Sequence, residues 1–171
     1  MQTHNFKPME KLAKRLESLV ERGISYVQPS DQLALSQKTS PNKWSKKEIL
    51  GHLIDSGINN LQRFNEIQFA TKPYPIRPYD QDQLVRANYY QEASVDELCG
   101  FWKAINLRIQ QVILRQTELT LAYPILLGSG ETKDLAFLIR DYVDHLEHHL
   151  NQILDPFYPA DPHLPIPQLL A

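Results

Sequence analysis

The chain has almost no cysteine: Cys99 stands alone among 171 residues. A lone thiol forms no intrachain disulfide and no thiolate zinc cage, so a bound metal must be held by histidines and carboxylates. Long apolar runs are missing as well, and the opening Met1-Gln2-Thr3-His4-Asn5-Phe6-Lys7 lacks the apolar stretch of a secretory signal. The sequence therefore reads as cytoplasmic, with no membrane contact. Nor is there an excess of one sign of charge: 18 Lys+Arg against 20 Asp+Glu give a formal net charge of −2, without a basic run to neutralise phosphates. A nucleic-acid partner is not expected. Glycine is scarce at 6 residues while proline reaches 12, unevenly placed. Pro156, Pro159, Pro162, Pro165 and Pro167 crowd the C-terminus and Pro73, Pro75 and Pro78 cluster mid-chain, so neither stretch is continuous helix.

What is present is an ordinary globular composition, 42 % hydrophobic and 22 % charged. At about 150 residues per domain, the chain is expected to form one domain over residues 1–171, with a core from about 8 to 157 and a Pro-rich tail over 158–171. Four long segments with a period near 3.6 predict an all-α fold of four main helices. The first, from about Pro8 to Glu21, aligns Leu12, Leu16, Leu19 and Val20, with Gly23 just past its end. The second opens at Ser45-Lys46-Lys47-Glu48, where hydroxyl and carboxylate can each bond the other residue's amide, and runs to about Ala70. Its apolar side carries Leu50, Leu53, Ile54, Ile58, Leu61 and Phe64. The connector from Thr71 to Ala93 is rich in tyrosine and includes a candidate short helix over Gln83 to Tyr90. Connectors of this length are usually functional or packed. Ser94-Val95-Asp96-Glu97 repeats the capping pattern and opens a third helix through Trp102, Ile105 and Ile109 to about Glu118. Leu119 to Glu131 reads as a loop, and a fourth helix runs from near Thr132 to Asp155. Four helices with two long connectors describe a bundle, not a solenoid.

Three histidines sit together on the fourth helix, in Asp144-His145-Leu146-Glu147-His148-His149. With His145 at zero on a helical wheel, His149 falls at about +40° and His148 at about −60°, while the apolar stripe from Leu135 to Ile153 averages about +90°. The 145/149 pair thus borders the buried side and His148 turns toward solvent. Such an i,i+4 pair can present two imidazoles to a divalent ion, or can simply be a hydrogen-bonded pair at the core's edge. On the second helix His52 shares a polar stripe with Glu48, Ser56, Asn59 and Arg63, which reads equally as a solvated face. Asp141 and Gln152, near the pair, are candidates to orient ligands or to cap the surface.

Two separated segments resemble the signatures of the DinB-like (DinB/YfiT) superfamily. They are Trp44 through Asp55, followed by Asn60 and Arg63, and Tyr142 through Ile153; Tyr79-Asp80-Gln81-Asp82 and Asn88-Tyr89 in the connector also fit. The resemblance covers about Pro8 to Phe157 and implies a four-helix bundle, a homodimer, and a divalent metal such as zinc or nickel bound by three histidines. By position these are His52, His145 and His149. It further implies a metal-dependent hydrolase or a transferase joining a low-molecular-weight thiol to an electrophilic small-molecule substrate, with Asn59 and Arg63 as candidate contacts to an anionic part of it. The alternative is a non-catalytic metal-binding module of stress response or sensing. Cys99, among Leu98 and Phe101, is expected in the core.

Overall fold

The computed structural model describes residues 7–156, so the Pro-rich tail expected over 158–171 lies outside the described residues. In chain order it forms α1 (Lys7–Val27), α2 (Gln32–Ser36), α3 (Lys46–Glu66), β1 (Tyr74–Pro75), α4 (Gln81–Ala87), α5 (Val95–Leu114), α6 (Glu118–Leu121), β2 (Pro124–Leu126), β3 (Thr132–Asp134) and α7 (Leu135–Leu154). The four expected helices are α1, α3, α5 and α7, and the fold is mostly helical. None of its helices is long and apolar enough to cross a membrane, among the described residues.

Local chemistry sets the helix starts. At α3 the Ser45 hydroxyl accepts from the Glu48 amide at 3.1 Å and the Glu48 carboxylate accepts from the Ser45 amide at 2.8 Å, closing the capping box. Ser94 caps α5 by accepting from the Glu97 amide, and Asp134 caps α7 by accepting from the Phe137 amide. One expected end is corrected. Gly23 does not terminate α1; it lies inside it, where a Cβ would come within 2.7 Å of the Trp102 indole. The glycine's poor helix propensity, about 1 kcal/mol against alanine, is offset by this close approach of a large buried ring.

A second correction concerns 119–134. The expected loop holds α6 and β2, and the stretch read as the first helical turn after Thr132 is β3. β2 pairs antiparallel with β3, Ile125 opposite Lys133, and parallel with β1, Tyr74 opposite Ile125. This three-stranded patch joins the segment leaving α3 to the segment entering α7.

Both α1 and α3 pack against α5 and α7, enclosing Trp102, Tyr142, Leu50, Leu53, Ile54, Ile109 and Leu150. Cys99 is buried in this core, whereas Ile58, expected inside, is 40 % exposed. Arg15 of α1 bonds Asp144 at 2.6 Å and also Glu147, fastening α1 to α7. At the opposite end from the strands, Lys46 at the start of α3 donates to the Asp155 carbonyl, just beyond α7, at 2.7 Å. α3 and α7 therefore run antiparallel, held together at both ends.

Candidate metal centre

The polar stripe of α3 is not a solvated face. Of its residues Glu48, His52, Ser56 and Arg63 are buried and Asn59 is half-buried, and the neighbouring Asp55 and Asn60 are buried too. His52, fully inaccessible, meets His145 and the buried His149 of α7. One nitrogen from each ring lies within 4.8 Å of the other two. His52 Nε2 stands 3.0 Å from His145 Nε2, and the ring centroids are 4.7 Å apart for 52/149 and 4.6 Å for 145/149. Trp44 covers His52 with centroids 4.9 Å apart. His148 lies outside the cluster, but it is half-buried like His145 where the wheel turned it toward solvent.

All three rings are neutral at ordinary pH. Burial, reinforced by the neighbouring imidazoles, lowers His52 to about 2, His149 to about 3 and His145 to about 4. A neutral imidazole offers one N–H and one lone pair, and with His149 Nδ1 2.7 Å from the Gln152 amide oxygen the His149 hydrogen points out of the cluster, so its Nε2 presents a lone pair inward. Buried atoms are left over: His149 Nε2 and His52 Nδ1 have no protein partner. The donor set and the orphaned nitrogen fit a small divalent cation. Two nitrogens about 2.0–2.1 Å from a tetrahedral zinc lie about 3.3 Å apart, close to the 3.0 Å between His52 and His145.

A second polar group lies one turn along α3. The buried Asp55 carboxylate accepts from Tyr90 Oη at 2.6 Å and from Asn88 Nδ2 at 2.9 Å, while its Oδ2 has no protein partner. Burial holds this carboxyl above its usual range, and the bonds from Tyr90 and Asn88 offset only part of the rise. Tyr89, at φ +51°, turns the chain so that both its neighbours reach Asp55. Tyr90 can approach because residue 51 is glycine: a Cβ there would stand 2.1 Å from the phenol ring. The sequence reading missed the roles of Asp55, Asn88 and Tyr90, although Asp55 falls three residues after His52 and Gly51 directly before it.

Asn59 is half-buried and donates to the Asp55 carbonyl at 2.9 Å. Arg63 is buried; its guanidinium donates to the Arg77 carbonyl at 2.6 Å and lies over the Tyr79 ring at 5.5 Å. Tyr79 in turn bonds Ser56, so the connector is tied to α3 at Tyr79 as well as at Tyr90. Asp141 lies in the field of Arg63 and Asp144, and burial lifts it to about 6.

A family model described as the DinB superfamily matches residues 9–153. The chain belongs to the DinB superfamily. Among solved structures, this DinB protein is similar to YfiT from Bacillus subtilis, described as a probable metal-dependent hydrolase with an unusual four-helix bundle topology. The two share 19 % identity at a TM-score of 0.77, over 90 % of this chain and 88 % of that one. It is also similar to a mycothiol-dependent maleylpyruvate isomerase, at 13 % identity and a TM-score of 0.66, over 88 % of this chain but 62 % of that one. No curated protein sequence matches it. At these identities the structural likeness establishes the shared bundle.

Proposed function

We propose that this DinB protein is a divalent-metal-dependent enzyme, a hydrolase or a low-molecular-weight thiol S-transferase, whose cation is held by His52, His145 and His149. The observation that carries the reading is the convergence of three neutral imidazoles from α3 and α7, two buried and His145 half-buried, with a ring nitrogen facing no protein donor. Three histidines with positions left open are the arrangement of catalytic sites, not of closed structural ones. When bound, zinc, nickel or a similar ion supplies Lewis acidity that makes a water or a thiol nucleophilic at neutral pH. The chain's own residues do the rest. The imidazoles are deprotonated without cost at pH 7, Trp44 shields His52, and Arg63 and Asn59, further along the same face of α3, are the candidate contacts for an anionic part of a small-molecule substrate. Of the structurally similar proteins one is described as a probable metal-dependent hydrolase and one as a mycothiol-dependent isomerase, which supports a metal and a thiol as the elements of the reading. A homodimer in the cytoplasm remains the expected form.

The test is metal analysis of protein purified without chelator, followed by paired assays of ester or amide hydrolysis and of bacterial-thiol conjugation to an electrophile. About one divalent ion per chain with turnover in one assay supports the reading. Tight metal with silence in both assigns the chain to the non-catalytic alternative.

A further inference from the structure

His149 Nδ1 lies 2.7 Å from Gln152 Oε1, and the amide nitrogen of the same side chain lies 3.4 Å from His148 Nε2, a longer and weaker contact. An amide oxygen only accepts and an amide nitrogen only donates. Gln152 Oε1 therefore requires the His149 hydrogen on Nδ1, which leaves the lone pair on Nε2, the buried atom with no protein partner. At the other end, His148 Nε2 accepts from the amide NH2 and so holds the oxygen toward His149. A reversed amide would donate to Nδ1 instead. The hydrogen would then sit on Nε2 and block the position a cation needs.

We propose that Gln152 is a positioning residue that fixes the tautomer and ring orientation of His149, and that His148 selects which end of the Gln152 amide faces inward. This accounts for a half-buried His148 whose ring lies 5.1 Å from that of His149 yet stays outside the cluster. The consequence for cation affinity rests on the three-histidine reading; the tautomer assignment does not.

The experiment uses the full chain with 15N-labelled histidine. Long-range nitrogen–proton NMR on chelator-treated protein reads the tautomer of His149, and competition with a chromophoric chelator reads the affinity for zinc. The wild type is expected to show His149 with hydrogen on Nδ1. Gln152→Leu should shift it toward Nε2–H and weaken zinc about 10–100-fold, the usual loss when a partner of a metal-bound histidine is removed. Gln152→Glu, which keeps the acceptor, should retain the wild-type tautomer and bind zinc at least as well. His148→Ala should give a mixture of tautomers and a smaller loss. A folded Gln152→Leu with the wild-type tautomer overturns the proposal, as does a shifted tautomer with unchanged zinc affinity. If wild-type protein binds no zinc, the metal reading falls while the NMR still decides what Gln152 does.

Discussion

Two polar clusters lie a turn apart on α3, and they are composed on opposite principles. Around Asp55 the parts are complementary, since a phenol and an amide both donate into one carboxylate oxygen. Around His52 the parts are alike: three neutral imidazoles face one another, and with the His149 hydrogen turned out toward Gln152 its Nε2 lone pair meets no donor. The first cluster satisfies one carboxylate oxygen and leaves Asp55 Oδ2 without a donor. The second gathers only ring nitrogens around its unpaired acceptor, a donor set that suits a cation. Neither burial nor an unpaired acceptor therefore separates a structural polar group from a binding one; the kind of atoms gathered around that acceptor does.

The sharpest way to break the contrast is to remove a base. His145→Ala or His149→Ala should reduce bound divalent metal from about one per chain to near none, measured by elemental analysis, whereas His148→Ala should keep about one per chain at a moderately lowered affinity. Next in size is the complementary cluster. Gly51→Ala would drive a methyl into the Tyr90 ring and should cost about 1–3 kcal/mol in chemical denaturation, as overpacked cores do. Tyr90→Phe should cost a similar or smaller amount, about 1–2 kcal/mol, by leaving the buried Asp55 short of a donor.

Acid should separate the clusters as well. His52, His145 and His149 titrate in the fold at about 2, 4 and 3, below the ordinary 6.5. Below pH 6.5 the unfolded chain takes up protons that the folded one refuses, so stability present above 6.5 is lost as pH falls toward 4 and beyond. In chelator, the melting temperature of the wild type should drop more steeply between pH 6.5 and 4 than that of His52→Gln. The smallest effect concerns Asp141, whose folded value of about 6 lies above its usual 3.8. Here the sign reverses: stability is fully present below 3.8 and declines as pH rises through 6. Asp141→Asn should flatten that decline.

Much of this was legible in the residues because it is local. The capping box at Ser45 and Glu48, the stripe from Leu135 to Ile153, and the choice of His149 over His148 all follow from spacing within one helix. What escaped is non-local. β1 and β2 pair across about fifty residues, Tyr74 with Ile125, and strands of two and three residues leave no alternation to detect. Gly23 resembles a helix stop until Trp102 is seen against it. The stripe of His52, Ser56 and Arg63 is polar in sequence, and only its packing against α7 and the connector makes it interior.

The pinning of α3 and α7 at both ends has a mechanical consequence. With the strand patch joining one pair of ends and Lys46 grasping the Asp155 carbonyl at the other, the two rods resist scissoring apart. The gap between their imidazoles is set by the scaffold before any guest arrives, so little of the guest's capture energy is consumed in ordering its hosts.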